Sequence, residues 1–83
     1  DEQLMENYKS GETFAFDVLF MRHHGRVLAF LKARMSNRRI AEDLLQEVFF
    51  KLHRSRHLYN EALPFMPWLF SITRSVWLDQ VKK

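Results

Sequence analysis

From Ile40 to Leu52 the apolar residues fall at Ile40, Ala41, Leu44, Leu45, Val48, Phe49 and Leu52. Steps of three and four put all of them on one side of a helix. A strand alternates its faces and could not gather this set on one side. The stretch therefore demands a helix over about residues 38–56. Ser36-Asn37 precedes it and can supply an N-cap oxygen. The rest of the chain must cover the apolar face.

Three further helices can be read. Residues 2–9 place Leu4, Met5 and Tyr8 on one face, and Ser10-Gly11 ends the segment. A helix this short is unstable alone and has to dock. From residue 12 or 13 to 35 there are two apolar stripes. One holds Phe16, Leu19, Phe20, Val27, Phe30 and Leu31; the other holds Phe14, Val18, Met21, Leu28 and Met35. A helix apolar on two sides belongs at the centre of its bundle. Gly25 lies inside it, at about 1 kcal/mol below Ala in helix propensity; a bend or a close helix crossing would account for it. Residues 57–63 read as a loop. Pro64 and Pro67 suit the first turn of a last helix over residues 64–81, with Phe65, Trp68, Leu69, Ile72 and Val76 buried. The expected fold is all-α, a compact bundle of about four helices forming a single domain over residues 1–83.

Composition removes other classes. With 83 residues the chain buries only about 60–65% of its unfolded surface, so it needs dense packing or a partner. It has no cysteine, which removes disulfides, thiolate metal sites and cysteine nucleophiles. Two Gly and two Pro are too few for a turn-rich β fold. No apolar run reaches the ~18 residues of a membrane span, and Asp1-Glu2 is not the start of a secretory signal. The absence of an initiator Met suggests a piece of a longer chain. Residues 1–12 carry net −3, so the rest carries +6 and the whole +3. A basic remainder points to an acidic partner.

Two outer faces remain. On the third helix, Asp43, Gln46 and Phe50 line one strip opposite the apolar face, with Glu47 beside them. Phe50 is either the aromatic anchor of a protein interface or packs beneath the first helix. Around the last helix, Tyr59, Asn60, Phe65, Met66, Trp68, Phe70 and Trp77 stand near Arg56, Arg74, Lys82 and Lys83. Rings beside cations suit unpaired nucleic acid, with bases on the rings and phosphates on the cations. Arg74, Trp77, Leu78 and Lys82 share an outward face in this reading, with Ser71 and Ser75 as further hydrogen-bonding groups. Phe65 and Trp68 read as core. The four histidines read as surface residues; His53 and His57 have the i, i+4 spacing of two metal ligands but no third. There is no Gly-rich phosphate loop, and Asp43 with Glu47 reads as an exposed acidic face. No enzyme, metal or cofactor is expected.

Ala41-Glu42-Asp43-Leu44-Leu45-Gln46-Glu47-Val48-Phe49 resembles the second domain of bacterial sigma factors, most closely the extracytoplasmic-function type. Gly11-Glu12-Thr13-Phe14-Ala15-Phe16 resembles the family's G-(D/E)-x-x-A-F opening. Pro64-Phe65-Met66-Pro67-Trp68-Leu69-Phe70-Ser71-Ile72 resembles its P-F-x-x-W-L-x-x-I stretch, and Asp79 matches an acid that follows. Ser75 stands where the family commonly has Asn, and Lys82-Lys83 where it often has Arg.

The resemblance implies a cytoplasmic bacterial transcription-initiation domain. Asp43, Gln46 and Glu47 would face the clamp coiled coil of the largest subunit of core RNA polymerase, with Leu45 or Phe50 as apolar contact. The loop over residues 56–63, with Arg56, Tyr59 and Asn60, would receive a flipped base of the non-template strand of the promoter minus-ten element. The last helix would lie along the upstream edge of that element. An anti-sigma factor is an implied partner, and a helical module acting mainly through such a partner is the alternative. The helix-turn-helix domain that reads the minus-thirty-five element is absent from this chain.

Overall fold

The computed structural model describes residues 1–60 and 62–82. Asn37 opens the most strongly patterned helix by accepting from the backbone N–H groups of Arg39 and Ile40 at 2.9 and 3.3 Å. In chain order, α1 is Glu2–Lys9, α2 is Phe14–Arg34, α3 is Arg38–Arg54 and α4 is Phe65–Val81, with a 3-10 turn at Arg56–Leu58. The described residues hold helices and turns, as an all-α bundle requires. Gly11, at φ +105°, makes the reversal between α1 and α2.

α3 buries Ala41, Leu44, Leu45, Val48, Phe49 and Leu52. α2 packs on α1, α3 and, more lightly, α4, and α4 packs on α3. α1 adds Met5 and Tyr8 to the core and α4 adds Phe65, Leu69, Ile72 and Val76. Phe49 joins the elements through edge contacts with Phe16 and Phe20 of α2, at 6.2 and 4.9 Å between ring centroids.

Several expectations are corrected. The third helix stops at Arg54, not Arg56, and the next residues tighten into the 3-10 turn. His57 thereby leaves the helical register of His53, and their i, i+4 pairing is lost. α2 is central, but its second stripe is only partly inside: Ala15, Leu19, His23, Val27 and Leu31 are buried, and Leu28 and Met35 of the second stripe pack half-buried against the core. Phe14 and Met21 of the second stripe are 58% and 70% exposed. His23, expected at the surface, is buried, because it follows Leu19 by one helical turn. Gly25 faces open space, with nothing within 4 Å of where a Cβ would sit, so no close crossing calls for it.

Candidate functional site

The outer strip of α3 exists as drawn from its spacing. Asp43, Gln46, Glu47 and Phe50 are all exposed. Neither Asp43 nor Glu47 has a hydrogen-bond or ion-pair partner among the described residues, so both carboxylates are open to an outside cation. Phe50 is not covered by α1. It stands between two grooves. One, of about 340 Å³, is lined by Tyr8, Thr13, Phe16, Asp17, Phe49 and His53. The other, of about 350 Å³, lies between α3 and α4 and is lined by Glu47, Lys51, Arg54, Val76, Asp79 and Gln80. The Arg54 guanidinium lies 5.1 Å from the Phe50 ring centroid. Leu45 is only 8% exposed and belongs to the core. It sits one residue, about 100°, from Gln46, which turns it inward; the apolar contact of this face is Phe50 instead.

On α4 the structure brings five of the expected residues together. Ser71, Arg74, Ser75, Leu78 and Lys82 line one shallow depression of about 330 Å³, with Asp79. Steps of three, four and seven stack them on one helix face. Arg74 and Lys82 are exposed and have no ion-pair partner among the described residues. Ser71 Oγ donates to the Trp68 carbonyl at 2.7 Å, which leaves its lone pairs outward. Ser75 Oγ accepts from Lys51 Nζ at 3.0 Å. This hydrogen bond places a third cation beside the depression, one that the α4 sequence alone could not reveal. Lys83 lies outside the described residues.

Trp77 is not part of this face. It is half-buried against α2, edge-on to Phe30 at 6.4 Å between centroids. The Arg34 guanidinium covers Phe30 at 3.7 Å and Trp77 at 5.7 Å. The indole Nε1 is buried without a hydrogen-bond partner among the described residues. One residue separates Trp77 from Leu78, and that 100° step carries the ring toward Phe30.

The loop is also reorganised. Tyr59 is 2% exposed, between Phe65 and Trp68 at 6.2 and 4.9 Å, and its hydroxyl donates to the Leu63 carbonyl at 2.7 Å. It is a core residue rather than an open stacking platform. Arg56 is half-buried; its guanidinium donates to the His53 carbonyl at 2.7 Å and lies 5.6 Å from the Tyr8 ring centroid. It closes the end of α3 and faces α1. Asn60 is exposed. Its side-chain oxygen accepts from Ala62 N–H at 2.9 Å, and its carbonyl accepts from Leu63 N–H at 2.9 Å. The Asn60 amide NH₂ has no partner among the described residues. His53 Nδ1 pairs with the Tyr8 hydroxyl. Burial raises the Tyr8 pKa above its ordinary value, and nearby Arg56 opposes this.

α1 holds this loop at both ends, which the sequence reading missed. Lys9 Nζ donates to the Tyr59 carbonyl at 2.9 Å. Glu2 Oε2 accepts from the Phe65 N–H at 2.8 Å. Phe65 opens α4, and its N-cap is Pro64, which has no capping side chain; Glu2 supplies the missing acceptor from 63 positions away. That hydrogen bond, together with one from the Glu2 backbone, holds the Glu2 carboxyl below its ordinary pKa. The available signal was the seven-residue spacing of Glu2 and Lys9, two turns along one face.

Residues 19–83 match the family model for sigma-70 region 2. The chain is 40% identical to the RNA polymerase sigma factor CarQ of Myxococcus xanthus, over 94% of this chain and 45% of that protein. It is 33% identical to the ECF RNA polymerase sigma factor SigM of Bacillus subtilis, over 81% of this chain and 40% of the relative. With SigM of Mycobacterium tuberculosis the identity is 32%, over 100% of this chain and 42% of the relative. The chain thus spans under half the length of these relatives. No solved structure matches it. The family match covers α3, α4 and both outer faces, and the chain belongs to the sigma-70 region 2 family, among the ECF sigma factors.

Proposed function

We propose that this domain docks on core RNA polymerase through the outer strip of α3 and uses the α4 depression and Asn60 to recognise, and help melt, the promoter minus-ten element. The observation that carries the reading is the division of surface chemistry. Unpaired carboxylates of Asp43 and Glu47, the Gln46 amide and the exposed Phe50 ring stand on α3. The unpaired cations Arg74 and Lys82 stand with two serine hydroxyls on α4. The first set suits a basic protein surface with a pocket for one ring, here the clamp coiled coil of the largest subunit. The second suits phosphates and base edges of the non-template strand.

The domain acts without catalysing a reaction. Binding energy for separated bases offsets the cost of unpairing. Tyr59 and Trp77 are packed inward, so the strand is trapped by the Asn60 amide, the hydroxyls of Ser71 and Ser75 and the two cations rather than by those rings. An anti-sigma factor covering either face would silence the domain in the bacterial cytoplasm. Asp43→Arg and Gln46→Ala test the docking half. Both variants should stay folded and retain less core polymerase in a pull-down; undiminished retention would refute the α3 assignment.

A further inference from the structure

We propose that α1 is a positioning clamp for the promoter-reading loop, with Lys9 and Glu2 as its two teeth. The inference rests on the proposed reading that Asn60 contacts the separated strand. α1 lies before residue 19, outside the part of the chain that the family model matches. It is acidic at one end and basic at the other, and each end meets one end of the same loop. Lys9 Nζ reaches the Tyr59 carbonyl at 2.9 Å, immediately before Asn60. Glu2 Oε2 reaches the Phe65 N–H at 2.8 Å, where α4 begins. The segment between them carries the exposed Asn60, whose turn is closed by Ala62 and Leu63.

Both contacts are charge-assisted and join a side chain to the backbone. They hold the backbone at Tyr59 and at Phe65, on either side of Asn60, Ala62 and Leu63, without depending on those residues' side chains. The apolar face of α1, Met5 and Tyr8, is buried in the core and fixes the helix. Arg56 over the Tyr8 ring adds a third link between α1 and the start of the loop. A loop held at both ends presents the Asn60 amide in one orientation before DNA arrives, so less ordering is required on binding. Glu2 and Lys9 need not touch DNA; they act through the loop.

The test uses the complex of this chain with core RNA polymerase. The probe is a fluorescent non-template-strand oligonucleotide selected by that complex from a randomised pool, compared with a scrambled strand. The variants are Glu2→Met with Lys9→Met, which removes both the acceptor and the donor, Lys9→Arg, and Asn60→Ala. If the unclamped loop holds the reading conformation for about a tenth of the time, the double variant should bind the selected strand about tenfold more weakly. Its affinity for core polymerase and for the scrambled strand should be unchanged, and Lys9→Arg should retain the wild-type preference. Equal weakening for both strands would reduce α1 to a structural or general electrostatic element and overturn the clamp. A wild-type preference in the double variant, alongside a loss in Asn60→Ala, would overturn the clamp and leave the loop reading intact. No loss in either would overturn the loop reading and the clamp with it.

Discussion

Phe49 and Phe50 are consecutive on α3 and face opposite surroundings. Phe49 is 3% exposed and packs edge-on against Phe20 at 4.9 Å, whereas Phe50 is 59% exposed between two grooves. The 100° step of the helix separates a core ring from a surface ring.

Their truncations should therefore fail in different ways. Phe49→Ala should cost about 3–5 kcal/mol of stability, read by urea or thermal unfolding. Phe50→Ala should change stability by less than about 0.5 kcal/mol. It should weaken binding to core polymerase by about 2 kcal/mol, the loss of a buried aromatic anchor, read by competition binding. A Phe50→Ala domain that binds core like the wild type would remove the ring from the interface.

Gly25 offers a gain. It is helical, exposed, and has open space where a Cβ would sit. Gly25→Ala should stabilise the domain by about 0.5–1 kcal/mol through helix propensity, measurable as a higher denaturation midpoint. A loss of stability would mean that the position serves something other than the local helix.

His23 sets a pH dependence. Burial, with Arg22 and Arg26 nearby, lowers its pKa from the ordinary 6.5. The Asp1 carboxylate accepts from its Nε2 at 2.9 Å, a hydrogen bond that the neutral ring can donate near pH 7. The unfolded chain takes up a proton on this residue near pH 6.5, and the folded chain only at lower pH. Acidification below 6.5 therefore favours unfolding until the folded pKa is passed. Equilibrium unfolding of the wild type should weaken through this window, and His23→Gln should flatten the dependence. An unchanged slope in the variant would assign the acid sensitivity to other groups.

Arg74 and Trp77 separate contact from packing on α4. In the polymerase complex, Arg74→Ala should lower the slope of log affinity for promoter DNA against log salt by about one, as for one lost phosphate contact, and leave stability unchanged. Trp77→Ala removes the ring from Phe30 and Arg34 and should cost about 2–4 kcal/mol of folding stability. A salt slope that moves only in Trp77→Ala would reverse the two roles.

The periodic elements were legible because their signal is local. Ile40 to Leu52 specified α3 and its buried side, and the same spacing placed Asp43, Gln46, Glu47 and Phe50 outside. Ser71, Arg74, Ser75, Leu78 and Lys82 could be grouped for the same reason. Tyr59 was not legible. Its burial depends on Phe65 and Trp68 folding back over it, a tertiary contact with no periodic trace. Trp77 needed Phe30, from the far end of α2, to draw it inward. The links from Glu2 and Lys9 to the loop join backbone groups across the chain and are silent in any pattern of side chains.

The most direct test of the account is strand discrimination in the polymerase complex. Affinity for the selected non-template strand should exceed that for its scrambled counterpart, and Asn60→Ala should remove most of the difference without loss of core binding, whereas Arg74→Ala should weaken both strands alike. Equal affinity for selected and scrambled strands in the wild-type complex would contradict the claim that this domain reads the minus-ten element.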